Sequence, residues 1–151
     1  MKRFLIFSLF LALAACGSDS TGPEVSYESI AGSYQGALVG NNNGILMESI
    51  FSLSIAQSSG DLSGTWSMTG TLTDGISTVP FQGTGNLSGT IQSGDNPSVN
   101  LRITNACSNY RADFSGVYDS PNRKLTINGP VDILDGCEVV LTYPSTIILT
   151  R

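Results

Sequence analysis

The chain has 151 residues, of which 40% are hydrophobic and only 13% are charged, and its formal net charge is −5. Seventeen glycines and this low charge favour an all-β domain over a helical or a disordered one. Its seven Lys and Arg residues form no basic stripe that could neutralise phosphates, so the sequence predicts no nucleic-acid binding.

Residues 1–15 are predicted to be a signal peptide. Lys2 and Arg3 precede an apolar run at positions 4–13, which is too short to span a bilayer comfortably. The sequence Leu13-Ala14-Ala15-Cys16 that ends this segment resembles the lipobox of bacterial lipoproteins. The resemblance implies cleavage before Cys16 and the attachment of acyl chains, such as palmitate, to that cysteine. An ordinary secretory signal with a chance cysteine is the alternative.

The lipobox resemblance also predicts a location. Several acyl chains hold a protein stably in a membrane, since each buried methylene contributes about 0.8 kcal/mol. Gly17 stands where Asp would signal retention in the inner membrane, so the resemblance favours the outer membrane of the cell envelope. Residues 16–29 are small and polar and include a proline, which predicts a flexible tether behind the lipidated Cys16.

Residues 30–151 are predicted to form one β-barrel domain. Seven clusters of Asn, Asp, Gly, Pro and Ser interrupt segments in which polar and apolar residues alternate, and such clusters form turns. The clusters lie at 40–44, 58–61, 73–75, 93–97, 105–109, 119–123 and 134–136. They imply about eight antiparallel strands, which fits an up-and-down barrel. A β-sandwich is the alternative.

The apolar face of each predicted strand mixes bulky residues with glycine, a pattern typical of the interior of small barrels. Glycine within a strand indicates a bend or a close backbone approach. Pro130 and Pro144 are predicted at edges, bends or bulges. The aromatic residues of the inner face form either a packed core or the lining of an apolar pocket: Tyr34, Phe51, Trp66, Phe81, Phe114, Tyr118 and Tyr143.

Two cysteines remain once Cys16 is assigned to the lipid anchor. Cys107 and Cys137 form an even pair in an oxidising compartment, which predicts a disulfide. Both residues fall on the inward side of their predicted strands, which supports the pairing. The alternative of a redox or metal pair has little support, because the chain has no CxxC motif and no histidine.

Two short motifs resemble the opening of the avidin and calycin superfamily of β-barrels. Gly32-Ser33-Tyr34 resembles its Gly-x-Trp first strand, and the segment from Leu62 to Trp66 resembles its Leu-x-Gly-Thr-aromatic strand. In many calycins a basic residue near the end of the last strand packs across the first-strand aromatic. The resemblance therefore implies that Arg151 closes the barrel over Tyr34 in a cation–π contact. It does not imply biotin binding.

The sequence predicts no catalytic site, metal site or cofactor. A chain without histidine lacks the usual general base and triad partner, and its acidic residues are scattered, mostly in turns and the tether. We therefore expect a non-enzymatic binding module whose apolar barrel interior holds a small apolar ligand, or whose loops meet a partner. The alternatives are an inhibitor of a secreted protease or other enzyme, and a structural envelope component with no ligand.

Overall fold

The computed structural model describes residues 25–107 and 109–151, and their secondary structure consists of eight strands. Each strand pairs antiparallel with the next, and β8 returns to β1, so that the sheet closes into a barrel. The barrel prediction is confirmed and the β-sandwich is wrong. Within the described residues no helix is long and apolar enough to cross a membrane. The strands are β1 (Gly32–Asn42), β2 (Ile45–Ser58), β3 (Asp61–Thr73), β4 (Thr78–Ile91), β5 (Ser98–Thr104), β6 (Arg111–Asp119), β7 (Lys124–Asp135) and β8 (Glu138–Thr150).

The up-and-down order gives the barrel two distinct ends. The turns that connect β1 to β2, β3 to β4, β5 to β6 and β7 to β8 lie at one end, here called the hairpin end. The other three turns lie at the opposite end, together with the entering residues 25–31 and the final Arg151, and this is here called the N-terminal end. Each of the seven turn clusters of the sequence includes residues of the connection between two consecutive strands, and five of them also include a strand end.

Large rings and glycines face each other across neighbouring strands inside the barrel. A Cβ on Gly83 would meet the indole of Trp66, one on Gly129 would meet the ring of Phe114, and one on Gly40 would meet the ring of Tyr143. Glycine thus makes room for a ring on the adjacent strand. Gly64 shows the other predicted use, because its φ of 155° and its close approach to the Ser54 carbonyl leave no place for a side chain.

The alternation of polar and apolar residues assigns Val79 and Val139 to the inner face of the barrel, yet both are exposed at the hairpin end. Val139 is 51% exposed, since the register of β7 and β8 shifts between Ile133 and Leu134 and leaves Val140 as an extra residue. Val79 keeps its inward parity but is 57% exposed, because β5 is too short to cover this part of β4. Strand alternation predicts the face of a residue, but burial also requires a neighbour.

Candidate functional site

The aromatic residues predicted for a core or pocket form a packed core. Their rings contact one another: the centroids of Phe51 and Trp66 are 6.1 Å apart and stacked, and Phe114 lies 6.3 Å from Phe51. Tyr34 and Tyr118 make an edge-to-face pair at 6.3 Å. Six of the seven predicted residues are at most 5% exposed: Tyr34, Phe51, Trp66, Phe114, Tyr118 and Tyr143.

The void beside Trp66 is too small for an organic ligand. It measures about 10 Å³ and is lined by Phe51, Trp66, Phe114 and Tyr110 among others. This volume would hold about one water molecule at most. The Trp66 indole N–H donates to the Thr104 carbonyl at 2.8 Å, which satisfies the polar group of the buried ring. The interior beside Trp66 is therefore filled by side chains.

Residues 27–30 of the entering segment cover the N-terminal end. Gln57 holds this segment: its Oε1 accepts from the Ile30 N–H at 2.8 Å, and its Nε2 donates to the Glu28 carbonyl at 3.0 Å. The Tyr34 hydroxyl donates to the Ile30 carbonyl at 2.9 Å, and Ser120 donates to the Glu28 carboxylate at 2.8 Å. Ile30 is fully buried. Glu28, which the composition assigned to the tether, thus contacts the barrel.

Arg151 reaches β1 at this end. Its guanidinium lies against Gly32, whose φ of 148° and missing Cβ leave space for it. Burial and the neighbouring Tyr118 hydroxyl raise the pKa of Tyr34, and the nearby Arg151 charge opposes that rise. The resemblance implied packing across the Tyr34 ring. The Arg151 side chain lies beside Gly32 and close to the Tyr34 hydroxyl, and the cation–π contact across the ring stays a prediction.

The hairpin end is open on one side. β5 has 7 residues and β6 has 9, whereas β4 has 14 and β7 has 12. β5 pairs with β4 only from Asn86 to Ile91, so residues 78–85 of β4 have a described neighbour strand, β3, on one side only. Phe81 lies in this part, where it is partly buried and packs against the edge of the core. Its neighbour strand ends too early to cover it.

The predicted disulfide joins two loops of the hairpin end. Cys107 and Cys137 are bonded, with a Cα–Cα distance of 5.5 Å. Both cysteines lie outside the strands, Cys107 in the β5–β6 loop and Cys137 in the β7–β8 turn, so their expected position on inward strand sites is wrong. Tyr110 follows in the same loop and fills the space beside Trp66, where burial, aided by the charge of Asp132, raises its pKa to about 12.

The two ends also differ in exposed apolar surface and charge. At the hairpin end Ile76, at the tip of the β3–β4 hairpin, is 96% exposed, and Val39, Val79, Val139 and Val140 are more than half exposed. In the half at the N-terminal end, Val25 and Ile148 are more than half exposed. Among the described residues, the half of the barrel at the hairpin end has a net charge of −4, from Glu48, Asp74, Arg111, Asp132, Asp135 and Glu138. The half at the N-terminal end has a net charge of −1, from Glu28, Asp61, Asp95, Asp119, Arg123, Lys124 and Arg151.

The outer face of the sheet carries small polar side chains. A shallow groove of about 890 Å³ crosses β1 to β4 between two rows of Ser, Thr, Asn and Gln side chains. The rows are two residues apart along each strand, about 7 Å, so the groove follows from the strand repeat and the short side chains. Nearby, the guanidinium of Arg102 pairs with the Asp113 carboxylate at 2.7 Å, which holds the pKa of Asp113 below its usual range.

Several expectations lie outside the described residues, namely the signal peptide at 1–15, the lipidated Cys16 and the first part of the tether. Within the described residues, no three His, Cys, Asp or Glu side chains stand close enough together to hold a metal ion.

The chain matches no protein-family model, no curated protein and no solved structure.

The sequence reasoning missed three residues of these ends. In the sequence Gln57 is one polar residue among many, yet its side chain holds the N-terminal segment. Tyr110 lies in a loop, yet its ring fills the space beside Trp66. Asp132 beside Tyr110 was not singled out either. The sequence around Gln57 does not indicate its hydrogen-bond partner, because the Ile30 N–H lies 27 residues away in the chain.

Proposed function

We propose that this chain is a non-enzymatic, lipid-anchored protein of the bacterial cell envelope that binds a macromolecular partner through the outside of its barrel. The anchor rests on the lipobox resemblance at Cys16. The binding mode rests on one contrast, a filled interior beside an end that leaves Ile76 96% and Val79 57% exposed. Exposed apolar surface of this kind is typical of interaction sites.

The entry point of the chain supports an orientation for such a protein. Val25 and the following residues run to the N-terminal end, so an anchor at Cys16 would turn that end towards the membrane. The nine residues from Cys16 to Val25 can span at most about 30 Å. The hairpin end would then point away from the membrane, where a partner could reach it.

The alternatives receive less support from the geometry. A small apolar ligand inside the barrel would need a cavity of roughly 300 Å³ or more, and the void beside Trp66 has about 10 Å³. An inhibitor that inserts its N-terminal segment into an enzyme would leave that segment free, whereas Ile30 is buried and bonded to Gln57. A structural component with no partner predicts no crosslinked adduct at Ile76, so the experiment below distinguishes it from a binding protein.

The proposal is tested by photo-crosslinking in the organism that makes the protein. A photoreactive residue at Ile76 should give adducts with a macromolecule, whereas the same residue at Val117, 49% exposed and near the opposite end, should give none. In parallel, labelling with a palmitate analogue should be lost in Cys16→Ser. Equal adducts at both positions, no adducts at all, or a stoichiometric small molecule in the purified protein would contradict the proposal.

A further inference from the structure

We infer that the hairpin end binds an extended, cationic and apolar polypeptide segment, which adds as a strand to the open edge of β4. This inference rests on the proposed function and names the partner's chemistry. It is carried by three properties of the same region: backbone groups of β4 that have no partner among the described residues, apolar side chains next to them, and an excess of acidic residues around them.

The direction of the free backbone groups follows from two hydrogen bonds. Peptide groups of consecutive strand residues point alternately to the two neighbouring strands. The Ile91 N–H donates to the Gly60 carbonyl, on the β3 side, at 2.8 Å, whereas the Gln92 N–H donates to Ser98 of β5 at 3.0 Å. The pairing of β3 with β4 continues without a shift as far as Thr78. The even-numbered residues at 78–85 therefore direct their peptide groups to the open side.

Gln82 and Thr84 each offer an N–H and a carbonyl on this side, and Pro80 offers a carbonyl alone. A proline without its N–H is tolerated on an edge and blunts it against unrestricted pairing. The opposite border of the opening is β7, which pairs with β6 only as far as Asn128 and continues through Pro130. The opening can therefore accommodate an added strand of about five residues beside β4. Pro80 and Pro130 at its borders restrict pairing into a longer continuous sheet.

Apolar side chains accompany this edge. Val79 and Phe81 lie on the inward parity of β4, and Val79 is 57% exposed. Leu72 on β3 and Leu141 on β8 are partly buried at the same end of the barrel. A strand added beside β4 would place every second side chain over this apolar rim, since side chains alternate between faces. The other side chains of the added strand would face solvent.

Charge selects the kind of segment. Asp74 lies in the turn before β4, and Asp132, Asp135 and Glu138 lie on the β7–β8 side of the opening. The net charge of −4 at this end favours a segment with Lys or Arg at its solvent-facing positions. It also disfavours a second copy of the same chain, because two hairpin ends would bring like charges together.

The test uses the full mature chain in phosphatidylcholine nanodiscs and an eight-residue peptide in which valine and lysine alternate. Titration calorimetry should detect binding that weakens about tenfold or more when glutamate replaces lysine in the peptide. Salt at about 1 M, where the Debye length is about 3 Å, should weaken it likewise. Empty nanodiscs are the control for binding to lipid.

Backbone pairing is tested on the peptide itself. N-methylation of the four valine nitrogens or of the four lysine nitrogens gives two peptides of equal composition. Strand addition predicts that one of them loses binding about tenfold or more and the other about twofold or less, because only one set faces β4. On the protein, Thr84→Pro should weaken binding while Thr84→Ala, which keeps the N–H, should not. If Thr84→Pro fails to fold, the comparison of the two N-methylated peptides still tests strand addition.

Each outcome has a definite meaning. Absence of binding, equal loss for both methylated peptides, or equal binding of the glutamate peptide would overturn the inference. If the chain self-associates and Thr84→Pro abolishes this self-association, the edge of β4 binds a second copy of the chain, and the inference is overturned as well. Crosslinking at Ile76 in cells with no peptide binding would refute this inference alone, whereas absence of crosslinking would refute the proposed function.

Discussion

The two ends of this barrel differ in how far they are closed. At the N-terminal end the chain itself closes the opening, with Ile30 fully buried and its N–H and carbonyl bonded to Gln57 and Tyr34. At the hairpin end β5 and β6 are short, so that residues 78–85 of β4 pair with β3 but have no second strand partner among the described residues. The Cys107–Cys137 disulfide and Tyr110 lie at this end. The covered end contributes stability, whereas the open end is the one at which we propose that a partner binds.

Removal of the disulfide is the largest change that we expect. Closure of a loop of 30 residues stabilises the folded state by about 3–4 kcal/mol in the chain-entropy model. Cys107→Ala/Cys137→Ala should lower the free energy of unfolding by that amount in urea titrations. Hydrogen exchange should rise first in residues 105–110, while residues 27–31 stay protected. Equal loss of protection at both ends would show that the ends are not independent.

A matched pair of isoleucines compares burial at the two ends. Ile30→Ala removes a side chain with 0% exposure and should cost about 3 kcal/mol of unfolding free energy. Ile76→Ala removes one with 96% exposure and should change stability by less than about 0.5 kcal/mol. Chemical denaturation of both variants measures the difference. Similar losses would mean that Ile76 is buried in solution, for instance by self-association.

Two glutamines compare polar side chains at the same two ends. Gln57→Ala leaves the Ile30 N–H without its acceptor and should cost about 1–3 kcal/mol, with faster hydrogen exchange in residues 27–31. Gln82→Ala alters an exposed side chain of the open edge and should change stability by less than about 0.5 kcal/mol. Unchanged protection in Gln57→Ala would show that Gln57 does not hold the N-terminal segment.

The smallest effect concerns alkaline pH. Burial raises the pKa of Tyr110 from its ordinary value near 10 to about 12, so the unfolded chain loses this proton before the folded one does. Stability contributed by the neutral ring is therefore complete below about pH 10 and is lost as the pH rises towards 12. Tyr110→Phe should flatten part of this decline in urea titrations at several pH values. An unaltered slope would place the Tyr110 hydroxyl in contact with solvent.

The architecture could be predicted because it depends on local patterns. Turn clusters such as 40–44 and 119–123, and the alternation through Leu62, Trp66 and Met68, are properties of neighbouring residues, and each was confirmed. The pairing of Cys107 with Cys137 followed from count and compartment alone, and it was confirmed too. These inferences needed no knowledge of which strands differ in length.

The candidate site could not be predicted in the same way. Val79 and Phe81 have the pattern of inner-face residues, but the early end of β5 leaves Val79 57% exposed and Phe81 only partly buried. Likewise, the positions of Cys107 and Cys137 in loops, and the packing of Tyr110 against Trp66, depend on how far β6 and β7 extend. Exposure of a strand residue is decided by its neighbours in space.

The sequence alone determined eight strands, their faces and the large rings of the core, because strand periodicity and turn chemistry act over a few residues. It also determined that large residues alternate with glycine, which left open whether Trp66 lined a pocket. The tertiary structure decided that question, since Gly83, Phe51 and Tyr110 close around the indole from three other parts of the chain. The tertiary structure also decided which end is sealed, because that depends on strand lengths and on contacts between residues far apart in the chain.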